Sequence, residues 1–162
     1  MDRVLPRLSF CVLSLAGLLL AGGNAPAETV GSISVENAWS RAVRSGSKVA
    51  VGYLTVRNDG DEPDRLLGAS APFAGETEIH QTSMADGVMR MRPVPGGVSV
   101  PAKGTVKLEP NSYHLMFRQL TRPLEEGDTV TARLTFERSG SVDVAFKVLG
   151  MGAQDPKTEL RQ

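Results

Sequence analysis

The sequence predicts a single all-β domain, built as a β-sandwich or barrel. Short runs of β-branched and aromatic residues recur along the chain, and turn-forming residues separate them. The 17 glycines and 10 prolines are spread through the sequence, which limits the length of any regular element. No window shows the periodicity of a long amphipathic helix. Many short strands with turn signals between them are typical of sandwiches and barrels.

Individual strands follow from these runs. Residues 49–56 are rich in β-branched and aromatic side chains and lead into the turn cluster Asn58-Asp59-Gly60-Asp61. Residues 129–137 alternate apolar and polar side chains, and Arg138-Ser139-Gly140 connects them to residues 141–149 as a tight hairpin. The other predicted strands are 65–69, 77–81, 88–94, 97–100, 105–108 and 113–117.

The first 27 residues have the layout of a cleavable secretory signal peptide. Arg3 and Arg7 precede an apolar run of 14 residues, and Ala25-Pro26-Ala27 supplies small residues for cleavage. The run is too short to span a bilayer. We therefore expect a periplasmic protein with one folded domain at 28–150 and a mobile tail at 151–162.

Cysteine and charge exclude several classes of function. The single cysteine, Cys11, lies inside the apolar run, and Phe10 before it does not fit a lipoprotein signal. After cleavage the chain has no thiol for a disulfide, a nucleophile or a CxxC pair. The chain has 18 basic and 18 acidic residues, and the basic residues do not form a stripe. We therefore expect no nucleic-acid partner.

The segment from His80 to Met116 holds both histidines of the chain and four of the five methionines that follow the signal peptide. In a β-strand, residues two apart project from the same face. His114 and Met116 therefore share one face of a strand, and Met89 and Met91 share a face of another. This clustering of imidazoles and thioethers is the main chemical signal in the sequence.

A site of His80, Met91, His114 and Met116 would offer two imidazole nitrogens and two thioether sulfurs. Thioethers are soft, neutral donors that favour Cu(I) over Zn²⁺, Mg²⁺ or Ca²⁺, and imidazole also suits copper. With neutral ligands the single charge of Cu(I) costs less to bury than a divalent charge would. We therefore expect one Cu(I) per chain.

The spacing of these residues resembles that of the periplasmic copper-A chaperone (PCuAC) family. Ten residues separate His80 from Met91 and 22 separate Met91 from His114, which fits the family signature His-x10-Met-x21/22-His-x-Met. The resemblance extends over residues 38–148. It also rests on Trp39 with Arg41, Tyr53-Leu54-Thr55 with Asn58, Asp64-Arg65-Leu66, residues 86–92, Pro101-Ala102-Lys103-Gly104, Leu108-Glu109-Pro110, Pro123-Leu124 and Gly127-Asp128.

The resemblance implies a cupredoxin-like Greek-key β-sandwich with Cu(I) at one exposed end, and the ligands it implies are the four residues named above. Members of the family carry copper toward the dinuclear copper-A centre of cytochrome c oxidase. The implied partners are subunit II of that oxidase and a thioredoxin-like copper chaperone. We expect a monomer that is not an enzyme and that meets the membrane only through its partner. Many relatives have a Met/His-rich tail for a second copper, whereas this tail offers only Met151.

The remaining singled-out residues have less specific interpretations. Met84 lies in a polar stretch that predicts an exposed loop, where it is a spare soft donor or incidental. Met89 is a core residue or a neighbour at the rim of the site. Both are auxiliary candidates for the metal site. Trp39 is interpreted as a core or edge aromatic, and Asp64 with Arg65 as a surface or turn pair.

Three rival functions share part of this evidence. A blue-copper electron carrier needs a cysteine thiolate, which the chain lacks after the signal peptide. A hydrolytic zinc enzyme needs three protein ligands and an open position, and thioethers are poor zinc donors. A periplasmic copper buffering, storage or resistance protein would use the same Cu(I) site, and the sequence does not separate it from a chaperone.

Overall fold

A computed structural model describes residues 27–156 of the protein. Nearly all of the predicted signal peptide, at residues 1–26, and the end of the tail, at 157–162, lie outside the described residues. In the described range no helix is long and apolar enough to cross a membrane. The strands in this range are β1 (Glu28–Val30), β2 (Ile33–Arg41), β3 (Val49–Asn58), β4 (Asp64–Ser70), β5 (Ala74–Ala85), β6 (Val88–Pro93), β7 (Val98–Val100), β8 (Thr105–Leu108), β9 (Tyr113–Leu120), β10 (Thr129–Phe136) and β11 (Gly140–Leu149).

The predicted all-β class is confirmed, and each predicted run overlaps one of the strands β3 to β11, extending past it by at most one residue. β10 shows why the prediction worked. Its apolar side chains, from Val130 to Phe136, are buried, while the residues between them are exposed. Phe136 pairs with Gly140, so the predicted hairpin between β10 and β11 is also confirmed.

Hydrogen bonding joins the strands into one continuous sheet. The order along it is β6-β5-β9-β8-β3-β2-β11-β10-β4-β7, with β1 paired to β2 and β9 paired also to β3. Most neighbours are antiparallel, but β11 runs parallel to β2 and β8 parallel to β9. In this order, strands that are far apart in sequence, such as β5 and β9, are neighbours. The pairing of β5 with β9 positions the candidate metal-binding residues.

The sheet folds over one hydrophobic core. Phe117 of β9 packs edge-on against Phe146 of β11 with ring centroids 5.9 Å apart, although these strands are not neighbours in the sheet. Phe73 packs on Phe117 from another side, at 5.0 Å. Gly52 of β3 leaves room for these rings, because a Cβ there would lie 2.7 Å from Phe117 and 3.2 Å from Phe146. This packing fixes the position of β9.

β2 is the longest element that the sequence patterns did not predict. Its register against β3 shifts between Glu36 and Trp39, and Asn37 between them has a φ of 52°. A β-bulge inserts a residue into one strand and changes which face the following side chains occupy. Val35 therefore faces the main core, whereas Trp39 pairs with Tyr53 on the opposite, outer face of the sheet.

The described part of the predicted mobile tail, residues 151–156, contacts this outer face. Ala153 is buried against Trp39 and Tyr53. The guanidinium of Arg41 donates to the carbonyl of Ala153 at 2.7 Å and to the side-chain oxygen of Gln154 at 3.2 Å. These contacts hold the described segment against β2 and β3.

Candidate metal centre

The pairing of β5 with β9 brings the two histidines together. His80 lies directly opposite His114 in the antiparallel register, and their ring centroids are 6.0 Å apart. Cross-strand partners project from the same face of a sheet. Their neighbours Ile79 and Leu115 face the core, so both imidazoles lie on the outer face.

The two predicted methionine ligands lie on this same face. Met116 is two residues beyond His114 in β9 and pairs with Glu78 of β5. Met91 of β6 pairs with Thr82, which is two residues beyond His80 in β5. Because side chains alternate along a strand, the structure places all four predicted ligand residues on one surface. Their role as metal ligands stays a prediction.

Exposure differs strongly among the four residues. His114 is only 3% exposed and the His80 side chain 14%, whereas Met116 is half-buried and Met91 is 49% exposed. The predicted exposed site therefore has a buried half and an open half. The imidazoles are shielded from solvent, and the thioethers lie toward it.

Each imidazole uses one ring nitrogen in a hydrogen bond. Nε2 of His80 lies 2.9 Å from Oε2 of Glu78, and Nδ1 of His114 lies 3.1 Å from the carbonyl oxygen of Ser112. An ionised carboxylate and a carbonyl can only accept, so both of these ring nitrogens carry the proton. The neutral rings are then fixed as the Nε2–H tautomer at His80 and the Nδ1–H tautomer at His114.

The other nitrogen of each ring is an acceptor without a partner. Nδ1 of His80 and Nε2 of His114 are both buried, and neither has a hydrogen bond within the described residues. Buried polar atoms are nearly always satisfied, so two orphaned lone pairs on facing imidazoles need an explanation. Metal-binding histidines characteristically donate through one nitrogen to a carboxylate or carbonyl and bind the ion through the other. Both rings have this arrangement.

Glu78 is a residue that the sequence prediction missed. Its hydrogen bond to His80 lowers the pKa of its carboxyl, and a further contact from Arg118, at 3.4 Å, acts in the same direction. Arg118 also pairs with Glu76, at 3.5 Å. The carboxylate is therefore ionised and held in place. Its position two residues before His80, on the same strand face, is the signal that could have identified it.

Burial lowers the pKa of the His114 imidazole below its usual value, and the nearby His80 adds to this effect. The hydrogen bond to Ser112 opposes it without reversing it. A lowered pKa keeps the ring neutral near neutral pH, which leaves its second nitrogen free to act as a donor to a metal ion.

Aromatic residues from β2 and β3 pack beside His114. The Tyr53 ring lies 6.4 Å from that of His114, and Trp39 lies 4.5 Å from Tyr53. The Arg41 guanidinium lies over both aromatic rings, 5.5 Å from the centroid of Tyr53 and 5.9 Å from that of Trp39, which is a cation–π arrangement. Burial raises the pKa of the Tyr53 hydroxyl, although Arg41 opposes this effect.

The two auxiliary methionines differ from their predictions. Met84 lies in β5 and not in a loop, although it is exposed as predicted, by 69%. The core interpretation of Met89 is wrong, because this side chain is 58% exposed on β6. The polar residues around Met84 do form a strand, because β5 continues into a hairpin with β6 beyond the edge of the core.

Within the described residues, no group of three or more histidine, cysteine, aspartate or glutamate side chains is arranged to hold a metal ion. The candidate donors that share one face are the two imidazole rings and the thioether side chains beside them. The fold and these donors together define a class of protein: an all-β domain whose outer face carries paired histidines beside methionines.

The family follows from the sequence. A family model described as "Putative lipoprotein LpqE-like" matches residues 33–148, and the chain belongs to this family, the family of PCuAC domains. A relative from Leifsonia xyli subsp. xyli (strain CTCB07), named "Putative lipoprotein Lxx21020", is 30% identical over 130 residues. That alignment covers 80% of this chain and 77% of the relative.

Solved structures give the same family. The copper-bound PCuAC domain from PmoF2 has a TM-score of 0.67 and 25% identity, covering 78% of this chain and 99% of that domain. The apo PCuAC domain from PmoF1 has a TM-score of 0.65 and 26% identity, and the match covers 77% of this chain and 99% of that domain. The Cu(I) form of DR1885 from Deinococcus radiodurans has a TM-score of 0.56 and 31% identity, and the match covers 77% of this chain and 81% of DR1885. The cupredoxin-like fold that the resemblance implied is confirmed.

Proposed function

We propose that this protein binds one Cu(I) through His80, Met91, His114 and Met116 and carries it to another protein. The observation that supports this most directly is the pair of facing imidazoles, each with one buried nitrogen that lacks a partner. The thioethers on the same face complete a soft, neutral donor set. Two similar PCuAC domains have been solved with copper, one of them as Cu(I).

The division of the site into a buried and an open half suits a carrier. Nδ1 of His80 and Nε2 of His114 hold the ion from within, where water does not compete. Met91 lies toward solvent, and a thioether is neutral and weakly binding, so an incoming ligand can replace it first. A cysteine-rich acceptor then gains the ion, because thiolates bind Cu(I) more strongly.

The proposed acceptor is the copper-A centre in subunit II of cytochrome c oxidase, reached directly or through a thioredoxin-like copper chaperone. This assignment rests on membership of the PCuAC family. In this role the protein is not an enzyme, and Cu(I) is its cargo.

We place this function in the periplasm, after cleavage of the signal peptide. The names of the family and of the Leifsonia relative describe lipoproteins, which fits an exported protein. In this chain Cys11 lies within the apolar run, so the proposed mature protein carries no lipid on cysteine. It acts as a monomer and reaches the membrane only through its partner.

Titration with Cu(I) against a chromophoric competitor tests the site. We expect one tightly bound ion per chain, and we expect Met91→Leu and Met116→Leu to weaken binding strongly. Met151→Leu is the matched control, because Met151 is comparably exposed, by 59%, and lies outside the site. Unchanged affinity in both site variants would refute the proposed ligand set.

A second measurement separates a chaperone from a copper buffer or storage protein with the same site. The Cu(I)-loaded protein is mixed with a reduced, soluble copper-A domain, and the metal content of each protein is measured after separation. Transfer to that domain, or to a thioredoxin-like chaperone, supports the carrier. Retention of copper in the presence of both acceptors would favour buffering or storage.

A further inference from the structure

The hairpin formed by β5 and β6 carries three exposed methionines: Met91, which belongs to the proposed site, and Met84 and Met89, which lie beside it. Asp86 and Gly87 form its two-residue turn, with φ angles of 53° and 74°. Positive φ at both positions is the signature of a type I′ turn, which fixes the register of the hairpin. Met84 lies directly opposite Met89 in that register.

The hydrogen-bond pattern places these two side chains close together. The backbone N–H of Thr82 donates to Ser112, on the β9 side of β5 and away from β6. Residues two apart in a strand point their backbone groups the same way, so Met84 also turns its backbone away from β6. The pair of Met84 and Met89 is therefore non-hydrogen-bonded, the kind with the shorter Cα separation of about 4.5 Å.

Met91 extends this pair toward the histidines. It is two residues from Met89 on the same face of β6 and pairs with Thr82, the neighbour of Met84 on that face. Cross-strand diagonal neighbours lie about 7–8 Å apart, within reach of long side chains. Three flexible thioethers can therefore converge on one point.

These side chains are costly to leave in water. Met84, Met89 and Met91 are 69%, 58% and 49% exposed, in a continuous row that adjoins the histidines. Such exposed apolar rows mark functional surfaces in soluble proteins. The row consists entirely of methionine, the one large apolar side chain with a soft metal donor, and this composition favours a metal over a protein as its ligand.

We propose that Met84, Met89 and Met91 form a second, weaker Cu(I) site on the hairpin. This inference rests on the proposed Cu(I) function of the neighbouring histidine site. Its donors are all neutral thioethers, so it selects Cu(I) without releasing protons. The two sites share Met91. Once the histidine site is filled, the hairpin retains two free thioethers, and it holds the second ion more loosely.

Nuclear magnetic resonance of labelled methionine methyl groups during Cu(I) titration tests this inference. The first equivalent should shift the signals of Met91 and Met116 and the ring signals of His80 and His114. Beyond one equivalent, the Met84 and Met89 signals should shift while the Met151 signal stays in place. The double variant Met84→Leu/Met89→Leu keeps apolar volume on an exposed hairpin, so the fold is retained. It should bind the first ion with unchanged affinity and lose the second.

Two outcomes would overturn the hairpin site. One is that Met84 and Met89 do not shift, or shift no more than Met151, beyond one equivalent. The other is that the double variant binds the second ion as the wild-type protein does. Failure of the proposed function gives a different result. In that case the first equivalent of Cu(I) does not shift the ring signals of His80 and His114.

Discussion

The two imidazoles of the site are held by different partners. His114 donates to the backbone carbonyl of Ser112, which no side-chain substitution removes. His80 donates to Oε2 of Glu78, and the same oxygen accepts from Arg118. Such partners act on metal affinity because they fix the tautomer and the direction of the ring. Glu78 is therefore the position at which the orientation of a ring can be tested by substitution.

We expect Glu78→Ala to weaken Cu(I) binding by about 10–100-fold, although it removes no donor atom. The His80 ring would lose its acceptor and would sample both tautomers, so Nδ1 would be free to bind for only part of the time. Glu78→Gln keeps an acceptor oxygen and should restore part of the affinity. Competition with a chromophoric Cu(I) ligand measures these differences.

Glu76→Ala is the control for this substitution. Glu76 pairs with the same Arg118 but lies four residues before His80. Ring-nitrogen chemical shifts of the apo protein should report the Nε2–H tautomer of His80 in the wild type and in Glu76→Ala, and a mixture in Glu78→Ala. An equal loss of affinity in the two alanine variants would mean that Glu78 acts through its charge and not through the orientation of the ring.

The affinity for Cu(I) should depend on pH through the imidazoles alone, because thioethers carry no proton. It should be constant where both rings are neutral and fall with a limiting slope of about two where both are protonated. Burial lowers the pKa of His114, so this ring begins to compete with copper at a lower pH than an imidazole with the ordinary pKa of ~6.5. The affinity is measured from pH ~9 down to the acidic range in which the slope no longer changes, because the limiting slope is reached only below the lowered pKa of His114. A limiting slope near zero would exclude both histidines, and one near one would leave a single histidine in the site.

Among the elements, the turn of the β10–β11 hairpin is held by one carboxylate at the start of β4, in addition to the backbone pairing of β10 with β4. Asp64 was predicted as part of a surface or turn pair; it does contact a turn, but it is buried. Its oxygens accept hydrogen bonds from the backbone N–H groups of Arg65, Arg138 and Ser139 at 2.7, 2.9 and 3.0 Å. Burial alone would raise the pKa of Asp64, but the hydrogen bonds from Ser139, Arg138 and Arg65 together lower it.

Asp64→Ala should lower the free energy of unfolding by about 2–4 kcal/mol, because it leaves backbone donors of the turn without their acceptor. Copper affinity should stay the same, since the contacts of Asp64 are with the hairpin turn. Urea unfolding of the apo protein measures the change. The pKa of Asp64 is depressed in the folded state, so its contribution is present above pH ~4 and declines as the pH falls through the folded value. Equal stabilities of variant and wild type at pH 7 would contradict this role.

The strands differ in how far the sequence predicts them. β10 alternates cleanly because one face is buried and the other is in water. β2 gives no such pattern, because the bulge at Asn37 changes which face its side chains occupy and because Ser34 and Ser40 are buried among apolar residues. The end of β5 was predicted as a loop because its residues are polar. Its partner is β6, and both strands leave the core there.

The strand face that His114 and Met116 share was predictable from the sequence, but the surroundings of these residues were not. Spacing along each strand was enough to place His114 with Met116 on one face, and the pairing of β5 with β9 then adds His80. The aromatic ring beside His114 is that of Tyr53, on a strand that pairs with β9, and Trp39 packs on Tyr53 in turn. Such contacts between strands distant in sequence follow from the sheet order, which no local pattern contains.

For the whole molecule, the proposed metal site and the fold depend on the same strands. The chain has one tryptophan, Trp39, which is 4% exposed and packs on Tyr53 beside His114. The proposed ligands come from β5, β6 and β9, so they are assembled only when these strands pair. Unfolding separates the ligands and brings Trp39 into water, and its fluorescence therefore reports loss of the site and loss of the fold together.

Cu(I) should therefore stabilise the folded protein. A ligand that binds only the folded state raises the free energy of unfolding by about 2.7 kcal/mol when its free concentration is on the order of 100 times Kd, or roughly 5–15 °C in Tm for a domain of this size. Thermal unfolding followed by Trp39 fluorescence, under reducing conditions with buffered Cu(I), measures the shift. Met91→Leu removes one thioether while keeping its volume, so the shift should shrink, and Met151→Leu should retain it. A Tm that Cu(I) leaves unchanged, or an equal shift in both variants, would show that copper does not bind where the folded strands bring these residues together.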